Sequence, residues 1–560
     1  MTAQPRLWIE ATTIGDLVDR AAAEVDGDAL VFPDGRATYA ELAVASDTWA
    51  RALCAWGVGP GDTVGILMPN CLDFAVAFVA TAKLGAVAVP VNARFKAHEL
   101  AHVIGHADIR VLVAAAGPEG TVDFPALLAD VFADAAEQDP RALRLAGAPA
   151  LRQIVHANGA RPGQLTREVF LARAAEVEID EVRILQQRVR IRDVAMLMYT
   201  SGTTARPKGC LLTHESLVRH GATVIRDRFR MTADDRFWDA LPLFHIGGIT
   251  PMLGCIGARA AFCHAGHFDP AVSLRMLQEE RITVAYPAFD LIWLAILGHP
   301  DYAAADLSRI RLVMSITTPE RLRDLQRRTP HAAYVTSFGA TECSSHLTLP
   351  LPDALEEVRM STLGPVVPGM EMRIVDPETG WICEPGEVGE ILFRGYARFE
   401  GYYKEPELTA QAIDADGWFH TQDLGAIRED GNLLYSGRLK DMLKVGGENV
   451  AAIEIEDYLV RHPAVNIAVV TGVRDARYDE VPAAFVQLAP GATLTQEELI
   501  AFCVGRIATF KVPRYLRLRD EWPMSGTKIQ KFVLREELET ELDAAGIEEA
   551  PRIDSRSPAS

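Results

Sequence analysis

Short apolar runs separated by helix-length segments constrain this chain most. "TVGILMP" (63–69) and "AVAVPVN" (86–92) read as buried strands, and "CLDFAVAFVATAKLG" (71–85) between them has helical length and closes on Gly85. The alternation returns at "DVAMLMYT" (193–200), "RITVAYP" (281–287), "IRLVMSI" (310–316) and "HAAYVTS" (331–337), with helical segments between. Such a pattern predicts an α/β architecture with mainly parallel sheets.

From about residue 362 the texture changes. "MEMRIVD" (370–376), "GEVGEILFRG" (386–395) and "GNLLYSGR" (431–438) predict a small antiparallel, barrel-like β region with Gly, Pro and Asp turns. After "SGRLKD" it changes again: "AAIEIEDYLVRHP" reads as helix, "VNIAVVTGV" and "AAFVQLAP" as strands, and "TQEELIAFCVGRI" opens with the capping-box pair Thr495 and Glu498. The boundary is placed near Lys440, giving a large N-terminal domain over 1–439 and a small α+β domain over 440–545. The polar, Pro- and Ser-containing end, 546–560, reads as a disordered tail. No internal repeat is evident.

Two or three domains suit 560 residues, and 49% apolar with 24% charged residues is a globular composition. A net charge of −20 argues against a nucleic-acid surface and requires local positive groups wherever an anion binds. The 8 cysteines are scattered, without a C-x-x-C pair, which reads as reduced thiols in a cytoplasmic protein. The N-terminus lacks a signal-peptide pattern. The longest apolar run is broken by Lys83, Gly85 and Pro90, so no integral membrane segment is expected.

Five stretches carry chemistry: "YTSGTTARPKG" (199–209), "ALPLFHIGG" (240–248), "TSFGATEC" (336–343), "GWFHTQDLGAIREDGNLLYSGRLKD" (417–441) and "WPMSGTKIQKF" (522–532). The first has the makings of a phosphate loop. Its glycines allow close backbone approach, amides and hydroxyls can cradle phosphate oxygens, and Lys208 can neutralise leaving charge. It is not a Walker A loop, because Pro207 precedes Lys208 and Gly209 follows. Glu342 offers the hard oxygen that Mg²⁺ takes alongside phosphate oxygens. Asp423 is a carboxylate of the kind that accepts hydrogen bonds from vicinal ribose hydroxyls. Taken singly, each has a plainer reading: a polar turn, a solvated charge, a core histidine at His245, a surface turn at Lys440–Asp441. "CHAGH" (Cys263, His264, His267) lacks a partner cluster and is not read as a metal site.

In this order, the five resemble the motifs of the adenylate-forming superfamily: acyl-CoA synthetases, luciferases and peptide-synthetase adenylation domains. The resemblance runs from about Thr38, at "TYAELAVASDTWARAL", to Arg535. It implies an N-terminal AMP-binding domain and a mobile C-terminal lid. It assigns Thr200, Ser201, Gly202, Thr203, Thr204 and Lys208 to the pyrophosphate of ATP, with Thr200 also near the metal. It gives Phe338 and Gly339 to the adenine, Thr341 to the α-phosphate or metal region and Glu342 to Mg²⁺. Asp423 and Arg438 fall to the ribose or phosphate, Lys440 to the hinge, His245 to a gate at the acyl pocket, and Gly446 and Gly447 to the pantetheine tunnel of coenzyme A. Lys528 is the catalytic lysine, with Lys531 as runner-up. This chain departs from the family's pattern in three places: Phe338 stands for the usual Tyr, Thr527 for the Gly before Lys528, and Thr317–Thr318 for a Gly- and Ala-rich turn.

The implied reaction converts a carboxylic acid, ATP and coenzyme A to an acyl-CoA through an acyl-AMP. The expected pocket stretches, "HIGGIT", "AYPAFDLIW", "SITTP" and "SFGATE", are mainly apolar and aromatic, which suggests an apolar acid: medium-chain fatty, aromatic, alicyclic or a steroid side chain. The rival readings are an adenylating enzyme that loads a separate carrier protein and a catalytically silent acyl-nucleotide binder. Members of the superfamily are often dimers.

Overall fold

The computed structural model describes residues 11–116, 123–157, 160–200, 207–445, 448–525 and 528–553, with the side chains of Lys440, Asn449, Ser525 and Lys528 left out. The chain divides into two compact units, Met1–Glu371 with Phe393–Phe419, and Met372–Leu392 with His420–Ser560.

Two seven-stranded sheets organise the first unit. One runs in the order Leu165–Thr166, Gln153–His156, Ile109–Ala114, Thr63–Leu67, Val87–Pro90, Val194–Thr200, Lys208–Thr213. Every pair in it is parallel except the last, a hairpin. The other runs Ala333–Val335, Leu312–Ile316, Val284–Phe289, Arg236–Asp239, Ala261–His264, Asp28–Phe32, Gly35–Thr38, again parallel but for its final pair. The expected alternation is therefore present. "TVGILMP" supplies Thr63–Leu67, and "CLDFAVAFVATAKLG" supplies the helix Leu72–Lys83 followed by Gly85 at φ +67°. That helix is buried nearly all round. Lys83 in its last turn is fully buried, and its ammonium is held by Asp19 at 2.7 Å and Asp47 at 2.5 Å, the pairing a buried cation requires.

Several helices start where the sequence has a cap. Thr38 and Glu41 close a capping box on Tyr39–Ala55, and Thr495 and Glu498 do so on Gln496–Cys503. Among the described residues no helix is long and apolar enough to cross a membrane.

Most residues of a four-stranded sheet, in the order Met370–Val375, Gly389–Gly395, Phe419–Ile427, Leu433–Arg438, belong to the second unit. That unit also holds a five-stranded sheet in which Val465–Asp475 and Asp479–Leu488 form the long central hairpin. Helices Ala452–Leu459, Gln496–Cys503 and Lys531–Ala544 complete it. The tail expected to be disordered from residue 546 is anchored as far as residue 553. Ala550 is buried and its N–H donates to Asp475, while Arg514 donates to the Pro551 carbonyl at 3.1 Å. Paired backbone groups and a buried Ala outweigh a polar composition there.

Candidate functional site

Parallel α/β sheets bind ligands at the carboxyl ends of their strands. In the second sheet of the first unit, four neighbouring strands end in the segments that the sequence marks. Arg236–Asp239 leads to His245, Val284–Phe289 to Asp290, Leu312–Ile316 to Thr317 and Thr318, and Ala333–Val335 to 336–342.

The phosphate hairpin is built by Val194–Thr200 and Lys208–Thr213, with Thr200 opposite Lys208. A Cβ on Gly209 would stand 2.7 Å from the Leu197 Cδ1, so a larger residue there would have to displace that side chain. Ser201, Gly202, Thr203 and Thr204 lie outside the described residues. Segment 400–403 runs along the hairpin's other edge. Glu400 N–H donates to the Leu211 carbonyl, Leu211 N–H to that of Gly401 and Tyr403 N–H to that of Gly209. Lys208 thus comes to lie over the Tyr402 ring, 5.4 Å from its centroid.

Glu342 sits in a single 3-10 turn, Thr341–Cys343, between the paired strands Phe338–Ala340 and Ser345–Thr348. The turn is tight: Ser344 adopts φ +60°, and a Cβ on Gly339 would fall 1.8 Å from the Ser345 carbonyl oxygen. The Glu342 carbonyl accepts from Phe399 N–H at 2.8 Å, and its Oε1 accepts from the Tyr402 hydroxyl at 3.0 Å. The buried Cys210 thiol is pushed up by desolvation first and then by the Glu342 charge. The Thr200 hydroxyl and the Lys208 charge oppose that shift. Phe338 is 7% exposed, with its N–H on the Thr348 hydroxyl; Gly339 is exposed and Thr341 half-exposed.

Glu342 and Thr200 offer hard oxygens beside Lys208, and among the described residues no group of three His, Cys, Asp or Glu forms a metal cage. That donor set fits Mg²⁺, which keeps most of its oxygens from water and substrate phosphates.

His245 is exposed and caps the helix Ile246–Ala258, its Nδ1 accepting from Gly247 N–H at 3.1 Å. In the neutral ring Nε2 then carries the proton. His264 uses both ring nitrogens on backbone, Nδ1 with Gly266 N–H at 2.9 Å and Nε2 with the Leu241 carbonyl at 3.0 Å, a structural role. Thr318 caps the helix Pro319–Arg328, and the Thr317 hydroxyl donates to Asp290 at 2.9 Å. Asp290 also pairs with Arg321 at 3.2 Å, so the carboxylate in the expected pocket stretches other than Glu342 already has its charge answered.

In the second unit, Asp423 lies opposite Arg438 on adjacent strands. Its Oδ1 accepts from Arg438 Nε at 3.1 Å and from the Tyr435 hydroxyl at 3.2 Å. Burial works against the Arg438 charge, but Asp423, Tyr435 and Asp441 outweigh it and hold the guanidinium above its ordinary value. Gln422, at φ +61°, is clamped by Glu390, whose carboxylate also meets His420 at 2.9 Å. Lys440 lies in the turn Leu439–Asp441, and Lys528 in a short strand paired with Met524–Ser525; both side chains lie outside what is described. Gly446 and Gly447 also lie outside it. Lys531 is bound to Glu456 at 2.7 Å and lies 3.9 Å from Asp441, a structural tie beside the turn 439–441.

Sequence reasoning missed Tyr402 and Glu390. It also missed a buried chain in which Ser337 meets His346 Nδ1 at 2.9 Å, His346 Nε2 meets the Tyr286 hydroxyl at 3.2 Å, and His346 N–H donates to His220 at 3.2 Å. The only signal for Tyr402 was its place in "GYYKEPELT", and nothing there pointed to Glu342.

The AMP-binding enzyme family model matches residues 17–403, and that of the AMP-binding enzyme C-terminal domain matches residues 454–528. The chain is 34% identical to YngI of Bacillus subtilis (strain 168), over 94% of this chain and 97% of that protein. It is 31% identical to the mitochondrial medium-chain acyl-CoA ligase ACSF2 of Rattus norvegicus, over 96% and 90%. Among solved structures, ATP-bound MatB from Rhodopseudomonas palustris superposes with a TM-score of 0.80 at 28% identity, covering 94% of this chain and 99% of that one. The fold, the order of the motifs and these matches together establish that the chain is an enzyme of the AMP-binding, adenylate-forming family.

Proposed function

We propose that the protein is an ATP-dependent acyl-CoA ligase acting on an apolar carboxylic acid, with medium-chain fatty acids, as named for the ACSF2 relative, the first to be tried. The observation that carries this reading is the convergence of Thr200, Lys208 and Glu342: Thr200 pairs with Lys208, Lys208 lies over the Tyr402 ring, and the Tyr402 hydroxyl meets Glu342. A cation and a hard carboxylate beside the hairpin of Val194–Thr200 and Lys208–Thr213 support a site for nucleotide phosphates. The pairing of Asp290 with Arg321 supports an acid without an amino group.

In the first half-reaction a carboxylate oxygen bonds to the α-phosphorus of ATP and the bond to the β-phosphate oxygen breaks, giving acyl-AMP and pyrophosphate. Lys208 neutralises charge on the departing pyrophosphate, and Lys528 stabilises charge building between carboxylate and α-phosphate. Mg²⁺, held by Glu342 with Thr200, supplies Lewis-acid charge stabilisation when bound. Asp423 takes the ribose hydroxyls, with Arg438 beside it. In the second half-reaction the coenzyme A thiol gives its proton to water, its sulfur bonds to the acyl carbon, and the bond from that carbon to the AMP oxygen breaks, releasing AMP. A rotation about Lys440 separates the two steps, exchanging Lys528 for the turn at Gly446 and Gly447.

The test is pyrophosphate release across a panel of acids, followed by identification of the thioester by mass. An acyl-CoA from an apolar acid is the expected result. Pyrophosphate without any acyl-CoA would favour transfer to a carrier protein, and neither product would reject the reading.

A further inference from the structure

We propose that Tyr402 is a positioning residue that fixes the Glu342 carboxylate for the divalent cation accompanying ATP, which rests on the reading of Glu342 given above. The hydroxyl reaches Glu342 Oε1 at 3.0 Å. Two independent constraints hold it there. Backbone bonds on either side, from Leu211 to Gly401 and from Tyr403 to Gly209, tie its segment to the phosphate hairpin. Its ring stands edge-on to Phe399, 4.8 Å between centroids, and Phe399 itself is bonded to the Glu342 carbonyl. One side chain thereby links the Glu342 turn to the phosphate hairpin: its hydroxyl orients the carboxylate and its ring lies beneath Lys208 at 5.4 Å.

Mg²⁺ demands near-ideal octahedral geometry, so a carboxylate that must find its rotamer on binding loses affinity. With Oε1 held by the hydroxyl, the orientation of the carboxylate is fixed, and Oε2 would be the freer oxygen for the cation. Groups that orient a metal-binding side chain commonly contribute about tenfold or more to metal affinity.

The experiment is calorimetry of ATP binding to the full chain, without acid or coenzyme A, in excess Mg²⁺ and again in EDTA. The ratio of the two affinities reads the cation's contribution. Tyr402→Phe keeps the ring under Lys208, so its affinity in EDTA should match wild type while the Mg²⁺ gain falls about tenfold. Tyr402→Leu removes the ring as well and should weaken binding in both media. In a Glu342→Gln background, Tyr402→Phe should change nothing further. An undiminished Mg²⁺ gain in Tyr402→Phe, an equal loss in both media, or additive effects in the double variant each overturn the proposal. Because no acid is present, failure of the ligase reading and failure of this inference are separate outcomes.

Discussion

Replacing Gly339 with alanine tests whether the turn bearing Glu342 is as tightly specified as its geometry indicates. The new Cβ would lie 1.8 Å from the Ser345 carbonyl oxygen and 2.8 Å from its carbon, both backbone atoms that cannot rotate away. Restoring even a 3 Å contact requires a displacement of about 1.2 Å (3.0 minus 1.8), across the pair Gly339 and His346 that sets the ladder's register. Overpacking of this kind costs about 1–3 kcal/mol of stability. The Glu342 turn lies between the two displaced strands, and a shift of about 1 Å in a positioning element costs on the order of a hundredfold in rate. Gly59 provides the control, since its Cβ would meet nothing within 4 Å and its φ is not left-handed. Gly59→Ala should be neutral or stabilising by about 0.4–1 kcal/mol through the unfolded chain. The assay is steady-state pyrophosphate release together with a thermal melt. A Gly339→Ala enzyme that melts as a folded protein but retains wild-type kcat/KM would refute the claim that this close approach positions the carboxylate.

Other consequences can be checked with the same protein. Asp423→Ala removes the acceptor of Arg438 and Tyr435 and the proposed ribose ligand, so ATP affinity should fall about tenfold by calorimetry; an unchanged affinity would contradict the ribose role. Lys528→Ala should abolish acyl-AMP formation yet leave thioester formation from supplied acyl-AMP largely intact, and equal loss in both half-reactions would remove the rotation about Lys440. Burial lowers the pKa of His220 to about 3 and those of His214, His264 and His346 to about 4, well below the ordinary 6.5. The unfolded chain therefore takes up protons below about pH 6.5 that the folded chain refuses until about pH 4. Stability should be full above that window and fall within it by up to about 1.4 kcal/mol per pH unit for each such histidine; a urea midpoint equal at pH 7 and pH 5 would contradict this burial.

The sheets were legible because their strands are local apolar runs: 63–69, 86–92, 193–200 and 310–316 all contain strands. Thr200 and Lys208 were legible as a pair because the hairpin that joins them is continuous in sequence. Tyr402 was not, since its hydroxyl meets a carboxylate 60 residues earlier and its ring a lysine farther away still. Only the folded backbone brings 400–403 alongside Lys208–Thr213. The threonines at 317 and 318 stood out only as a departure from a Gly- and Ala-rich turn; their hydroxyls are engaged, one capping a helix and the other donating to Asp290. Asp290 itself went unnoticed within an apolar stretch, and its partner Arg321 belongs to the next helix along the sheet edge. Polar side chains that are satisfied at long range leave no periodic trace in the sequence, whereas caps and strands do.

The central claim, that the acid is activated by bonding to the α-phosphorus of ATP, is tested most directly by following the substrate's own oxygen. An acid carrying a heavy-oxygen label in its carboxylate is turned over with ATP, Mg²⁺ and coenzyme A, and the nucleotide product is weighed by mass spectrometry. The account predicts AMP that has gained one labelled oxygen. Unlabelled AMP, or ADP with label in inorganic phosphate, would contradict it.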